Sequence, residues 1–188
     1  MLQKDALDNL LYAQSALKTG LGVYFWLDAG TLLGAYRDHD FIGHDTDLDI
    51  GVYAEQLPTW EDVADLIEQM RLHEFTLYHT LGQPNYCFEM AFKRKNIKLD
   101  IFWYYQEAGR RKTHMQKNGG RNGKSDLITL DFTVDVINEL HNINFLGHKF
   151  PVPLRTEEYL IMRYGPDWRI PDTRWNWATG PRNIISNE

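Results

Sequence analysis

Apolar residues recur at helical spacing early in the chain and then collect in short strand-like runs. Leu7, Leu10, Leu11 and Leu17 line one face of a helix predicted over residues 4–18, which Gly20 and Gly22 end. Val23-Tyr24-Phe25-Trp26-Leu27 is a β-prone apolar run, read as a buried strand. Asp28-Ala29-Gly30-Thr31 turns the chain into a short helix over 32–37, with Thr31 near its N-terminus. Over 46–53, apolar Leu48, Ile50 and Val52 alternate with polar positions, the two-residue period of a half-buried strand. Val63, Leu66, Ile67 and Met70 mark an amphipathic helix over 60–73. Strands at 75–80, 85–93 and 97–105, parted by Gly82, Pro84 and Asn96, read as an antiparallel meander. Residues 145–152 form a further extended segment, and Thr156-Glu157-Glu158 opens a last helix that Gly165-Pro166 stops. This order of elements predicts an α+β domain, a mixed sheet flanked by helices.

The glycine-rich stretch 117–125 is the one clear polar loop, read either as a lid over a site or as a surface turn. No linker or repeat divides the chain, so residues 1–188 read as a single domain. At 188 residues and 43% hydrophobic, it can bury one core. The formal net charge of −6 argues against nucleic acid as a partner. The single Cys87 excludes an internal disulfide and a cysteine-rich zinc site. No apolar run is long enough for a transmembrane segment, and the N-terminus, with Lys4, Asp5 and Asp8, does not read as a secretory signal. A soluble cytoplasmic domain is the expectation.

The polar face of the 46–53 segment changes this picture most. Asp45, Asp47 and Asp49 occupy alternate positions, so in a strand they share a face. Adjacent carboxylates repel, and a shared cation is what makes such a row stable. All-oxygen ligands suit a hard divalent ion, Mg²⁺ or Mn²⁺. Upstream, Gly30-Thr31-Leu32-Leu33-Gly34 offers a glycine at a strand-to-helix turn, where backbone N–H groups can approach phosphate. Downstream, Asp100 is a lone acid in the apolar run Leu99-Asp100-Ile101-Phe102-Trp103, which is costly unless it is paired or metal-bound. Lys98 shares its face, so an ion pair with Asp100 and a metal role are both open. Arg110-Arg111-Lys112 reads as a solvated turn. The histidines show no metal-ligand spacing. The aromatic runs at 24–26 and 102–105 read as core, and Trp168, Trp175 and Trp177 as packing the tail onto the domain.

The order glycine turn, Asp-x-Asp strand and later acid is similar to the nucleotidyltransferase fold of the DNA polymerase β type. Leu27-Asp28-Ala29-Gly30-Thr31-Leu32-Leu33-Gly34-Ala35-Tyr36-Arg37, then Gly43-His44-Asp45-Thr46-Asp47-Leu48-Asp49, resembles the LicD family, of phosphorylcholine transferase and fukutin-related type. Tyr159-Leu160-x-x-Arg163-Tyr164-Gly165-Pro166-Asp167-Trp168 resembles that family's closing segment. His44 and Gly43 stand where many members carry tryptophan and proline. The resemblance implies a metal-dependent phosphotransferase. It would move a phospho-alcohol, phosphocholine or an alditol phosphate, from a CDP-linked donor to a hydroxyl of a sugar or glycan. Asp47, Asp49 and Asp100 would be the metal ligands. Gly30, Thr31, Arg37 and Lys98 would contact the donor, and Asp45 would orient water or the acceptor. A nucleotidyltransferase that moves the nucleotide itself, or a silent nucleotide- or glycan-binding module, are the alternatives.

Overall fold

The computed structural model describes residues 1–117 and 126–185. Helix α1 (Gln3–Gln14) runs on through a wider turn over Ser15–Leu21. Then come β1 (Phe25–Leu27), α2 (Ala29–Leu33, continuing to Asp38), β2 (Asp47–Tyr53) and α3 (Trp60–Leu72). Strands β3 (Thr76–Gln83), β4 (Tyr86–Arg94), β5 (Ile97–Glu107), β6 (Arg110–Lys117) and β7 (Asp126–Thr133) follow. The chain closes with α4 (Val134–Ile137), β8 (Leu140–Phe145), β9 (His148–Pro153), α5 (Thr156–Tyr164) and β10 (Ile184–Ile185).

Eight strands form one mixed sheet in the order β1-β2-β5-β6-β7-β10, with β4 also on β5 and β3 on β4. β2 and β5 are parallel, from Asp47 opposite Lys98 to Tyr53 opposite Tyr104. The β3-β4-β5 meander is antiparallel, as its turn residues suggest. One face of β2 and β5 buries Leu48, Ile50, Val52, Leu99, Ile101 and Trp103. They join one core with Leu10 and Leu17 of the first helix and Val63, Leu66 and Met70 of α3. Burying a side chain such as Phe92, fully enclosed here, contributes ~1.5–3 kcal/mol. Thr59 starts α3 with a reciprocal cap: its hydroxyl accepts the Asp62 N–H at 3.2 Å, and Asp62 accepts the Thr59 N–H at 2.9 Å. Trp26 lies opposite Gly51, and a Cβ there would run into the indole ring, so glycine is what lets this tryptophan lie on the sheet.

Two expectations of local structure need correction. Residues 110–112 are not a turn but the start of β6. Arg110 grips Asp131 on β7, and Arg111, buried, donates to Glu55 at 2.7 Å. Both partners are distant in sequence, so a basic triplet that looks solvated is held on the sheet. Residues 145–152 are the end of β8, a turn at Leu146-Gly147 and most of β9, rather than one extended run. β7 and β10, which carried no sequence signal used above, complete the sheet. Of the stretch 117–125, Lys117 ends β6, and 118–125, with both readings of that stretch, lie outside the described residues. No helix among the described residues is long and apolar enough to cross a membrane.

Candidate active site

Sheet register assembles the acids. Asp47 and Asp49 on β2 stand opposite Lys98 and Asp100 on β5. Paired residues of neighbouring strands project from the same face, so these four form a compact patch, while Leu48 and Leu99 between them face the core. Asp45 differs from the expectation of three acids in one strand. It precedes β2, in a turn where its N–H donates to the Ile42 carbonyl at 2.9 Å. It still joins the patch: a Cβ built on Gly30 would lie 2.5 Å from Asp45 Oδ2 and 3.3 Å from Asp49 Oδ2. Two carboxylates therefore occupy the space that any other residue at position 30 would need.

The start of α2 is tied to β2 at the acids. Asp28 caps the helix, accepting the Ala29 N–H at 2.8 Å. The Gly30 N–H donates to Asp49 Oδ2 at 3.0 Å. The Thr31 hydroxyl accepts the Asp49 N–H at 2.9 Å. Gly30 thus faces the patch, whereas Thr31 is buried and its hydroxyl fixes the strand beneath.

Lys98 is the cation of the patch, with Nζ 3.0 Å from Asp47 and 2.7 Å from Asp100. Burial opposes its charge, but Asp100 and Asp47 outweigh that and hold its pKa above the usual lysine value. One lysine does not balance four acids. Burial, with Asp47 beside it, pushes Asp45 up to about 7. Burial raises Asp100 to about 6 even though Lys98 pulls it down. Asp49 stands well above the ordinary carboxylate range because of burial and because Asp47, Asp100 and Asp45 surround it.

Beneath the patch lies a polar network that sequence reading did not single out. Asp28, fully buried, accepts from the Tyr104 hydroxyl at 2.8 Å and closely from the Tyr159 hydroxyl. Arg163 Nη1 donates to the Tyr159 hydroxyl at 3.1 Å and lies 3.8 Å from Asp28 Oδ1. The signal was present: Asp28 heads the glycine turn and Arg163 lies in Tyr159-Leu160-x-x-Arg163-Tyr164, but only the fold joins them.

The patch opens into a cavity of about 1370 Å³. Gly30, Arg37, Asp45, Asp47, Asp49, Lys98 and Asp100 line it, so seven of the eight site candidates meet there; Thr31 does not. Arg37 is paired with Asp38 at 2.7 Å and reaches the Trp168 carbonyl at 3.5 Å. Tyr164, at the end of α5, and Trp168, Arg174, Trp175 and Arg182 of the segment after it line the rest of the cavity. Trp168 is buried against Tyr36 and Trp175 packs on Tyr164, as expected of the tail, while Trp177 stays exposed at the rim. Among the described residues, the three potential metal ligands gathered within 4.8 Å of one another are His79, Glu89 and Asp100. Asp47 and Asp49 share the cavity without forming so tight a set, and Lys98 stands between Asp47 and Asp100. His79 and Glu89 are the residues missed from sequence.

Residues 22–155 match the family model described as LicD/FKTN/FKRP, nucleotidyltransferase domain. The mouse ribitol-5-phosphate transferase FKTN is 32% identical, covering 100% of this chain and 38% of its own. The mouse ribitol 5-phosphate transferase FKRP is 25% identical, covering 77% of this chain and 28% of its own. The chain thus spans less than half the length of the curated relatives it matches. A solved structure, ANT(2'')-Ia in complex with adenylyl-2''-tobramycin, shares 12% identity at a TM-score of 0.40 over 61% of this chain and 59% of that one, too distant to support an argument.

Proposed function

The chain belongs to the LicD/FKTN/FKRP nucleotidyltransferase-domain family, and on that premise we propose that it is a metal-dependent phosphotransferase. The reaction moves an alditol phosphate from a CDP-linked donor to a hydroxyl of a sugar or glycan, with residues 1–188 acting as one domain. The observation that carries this reading is the gathering of Asp45, Asp47, Asp49 and Asp100 on one cavity wall where, among the described residues, Lys98 is the one cation in a salt bridge with them, bonding Asp47 and Asp100. The names of the relatives favour an alditol phosphate over phosphocholine.

The donor set fits a hard divalent cation. Its atoms are carboxylate oxygens, and burial first, then the neighbouring acids, hold Asp45, Asp49 and Asp100 above the ordinary carboxylate range, a cost that a bound cation would relieve. Asp47 and Asp49, with Asp100, would hold Mg²⁺ or Mn²⁺, which when bound neutralises donor phosphate oxygens. The chain's own groups supply the rest. Gly30, lacking a side chain, lets the donor approach the start of α2. Arg37 and Lys98 offer charge to the donor phosphates, and Thr31 holds the Asp49 backbone in place. Asp45, beside Gly30 at the edge of the patch, orients the acceptor hydroxyl and takes its proton. Burial of the reacting phosphate between this wall and the segment after α5 keeps water from competing as acceptor.

A donor labelled separately in its cytidine and its alditol, offered to glycan acceptors with Mg²⁺, tests the assignment. Alditol label alone on the acceptor is the expected result. Cytidine label on the product would instead identify a nucleotidyltransferase. Turnover and nucleotide binding undiminished in Asp47→Ala and Asp49→Ala would remove the site.

A further inference from the structure

The row of residues across the sheet continues past Asp100. Asp100 on β5 stands opposite Ala91 on β4, and Ala91 stands opposite His79 on β3. Glu89, two residues before Ala91, projects from the same face of β4. Three side chains able to bind metal therefore surround an alanine, whose methyl group leaves the space over the sheet open. His79, Glu89 and Asp100 each offer a ligand atom, and these atoms lie within 4.8 Å of one another. All three line the cavity.

Among the described residues, two of these groups lack the partners that burial calls for. Asp100 is 4% exposed; Lys98 bonds its Oδ2 at 2.7 Å, and its Oδ1 has no hydrogen-bond partner. His79 Nε2 is buried and also without one, its nearest acid oxygen on Glu89 lying 3.6 Å away. Burying a polar atom without a partner is costly, so two such atoms in one side-chain cluster point to a missing common ligand. Glu89 adds a second negative charge that repels Asp100.

We propose that His79, Glu89 and Asp100 form a second divalent-metal site, selective for a transition-metal cation such as Mn²⁺ or Zn²⁺ over Mg²⁺. An imidazole nitrogen with two carboxylate oxygens is a borderline ligand set, unlike the all-oxygen set of Asp47 and Asp49. Three protein ligands leave coordination positions open towards the cavity, where an oxygen of a bound phosphate or hydroxyl fits. The inference deepens the proposed transfer site, with which it shares Asp100, but it adds His79 and Glu89 and has a separate readout.

Mn²⁺ bound to the full chain is the probe. Pulsed electron paramagnetic resonance of the wild-type protein is expected to show nitrogen modulation from one imidazole, and His79→Gln to abolish it. Glu89→Gln, which keeps the histidine, is expected to weaken the nitrogen-ligated Mn²⁺ about 10-fold or more. Asp47→Asn/Asp49→Asn, which disables the other acids, is expected to keep the nitrogen signal. The proposal is overturned by absence of nitrogen modulation in saturated wild-type protein, by its persistence in a folded His79→Gln variant, or by its loss in the Asp47→Asn/Asp49→Asn variant. None of these readings depends on turnover, so failure of the transferase assignment is recognised separately.

Discussion

Asp28 and Arg163 meet in the core from opposite ends of the chain, Oδ1 to Nη1 at 3.8 Å, with Tyr159 hydrogen-bonded to both. The pair fixes α5 against the start of α2, which in turn holds Gly30 and Thr31 on the acids. Both side chains are almost wholly buried. Removing one partner strands the other charge, a loss of about 3–5 kcal/mol. Arg163→Met and Asp28→Asn are each expected to lower stability by that amount in urea unfolding. A change below about 1 kcal/mol would mean that the network carries little of the fold.

Gly30→Ala tests how closely the carboxylates are placed. The new methyl group would meet Asp45 Oδ2 at 2.5 Å, and Asp45 must move. Gly30 is not among the positive-φ residues, so the backbone tolerates alanine. Displacement on the order of 1 Å at a reacting group costs up to ~100-fold. Transfer is expected to fall by about that factor while the melting temperature changes little. Wild-type turnover would show that Asp45 and Asp49 are not set for chemistry.

Much of this site was legible in the chain, and the reasons are local. Alternation of Asp47 and Asp49 with Leu48 and Ile50 specifies a strand with one wet face, and the glycine at 30 marks a close approach. Asp45 was misplaced because the turn at 43–44, which takes it out of the strand, leaves the alternation intact. His79, Glu89 and Asp100 are ten and eleven residues apart, spacings that carry no motif. They meet only through the register of β3, β4 and β5, which includes irregularities after Leu77 and Leu81. Arg111 was misread for a similar reason, since its partners Glu55 and Asn138 come from other elements.

Lys98→Met separates the lysine's structural part from its chemical one. Without Nζ, Asp47 and Asp100 lose their bonded cation. Asp47 and Lys98 are both partly exposed, so screening reduces the loss to ~1 kcal/mol. A lower melting temperature in metal-free buffer is expected, with most of it recovered on adding Mg²⁺. Failure of Mg²⁺ to compensate would argue that the cation does not bind between these acids.

His114 supplies a pH signature on β6, away from the acids. Burial first, then Lys112, depress its pKa to about 4, with Glu107 opposing; the rings of Tyr86 and Tyr105 pack beside it. The imidazole is neutral in the folded chain but takes up a proton near its ordinary value of 6.5 when unfolded. Its contribution is therefore complete above about pH 6.5 and is lost as pH falls towards 4. The stability difference between wild type and His114→Gln, followed by urea unfolding across that window, isolates the effect. A difference that stays flat would place the ring in contact with water.

Metal and protons should compete at the acids, and the sign is fixed by the direction of the shifts. Asp45 near 7 and Asp100 near 6 both lie above the ordinary aspartate value of 3.8. Without metal, the folded chain thus binds protons that the unfolded chain does not, and these groups add stability as pH falls through 7 and 6. Mg²⁺ requires bare carboxylates, so its contribution runs the other way. At 100-fold over its dissociation constant a ligand adds about 2.7 kcal/mol. The rise in melting temperature on adding Mg²⁺ is therefore expected to be largest near pH 8 and to vanish near pH 5. A Mg²⁺ effect equal at both ends of that range would place the ion elsewhere than on Asp45, Asp47, Asp49 and Asp100.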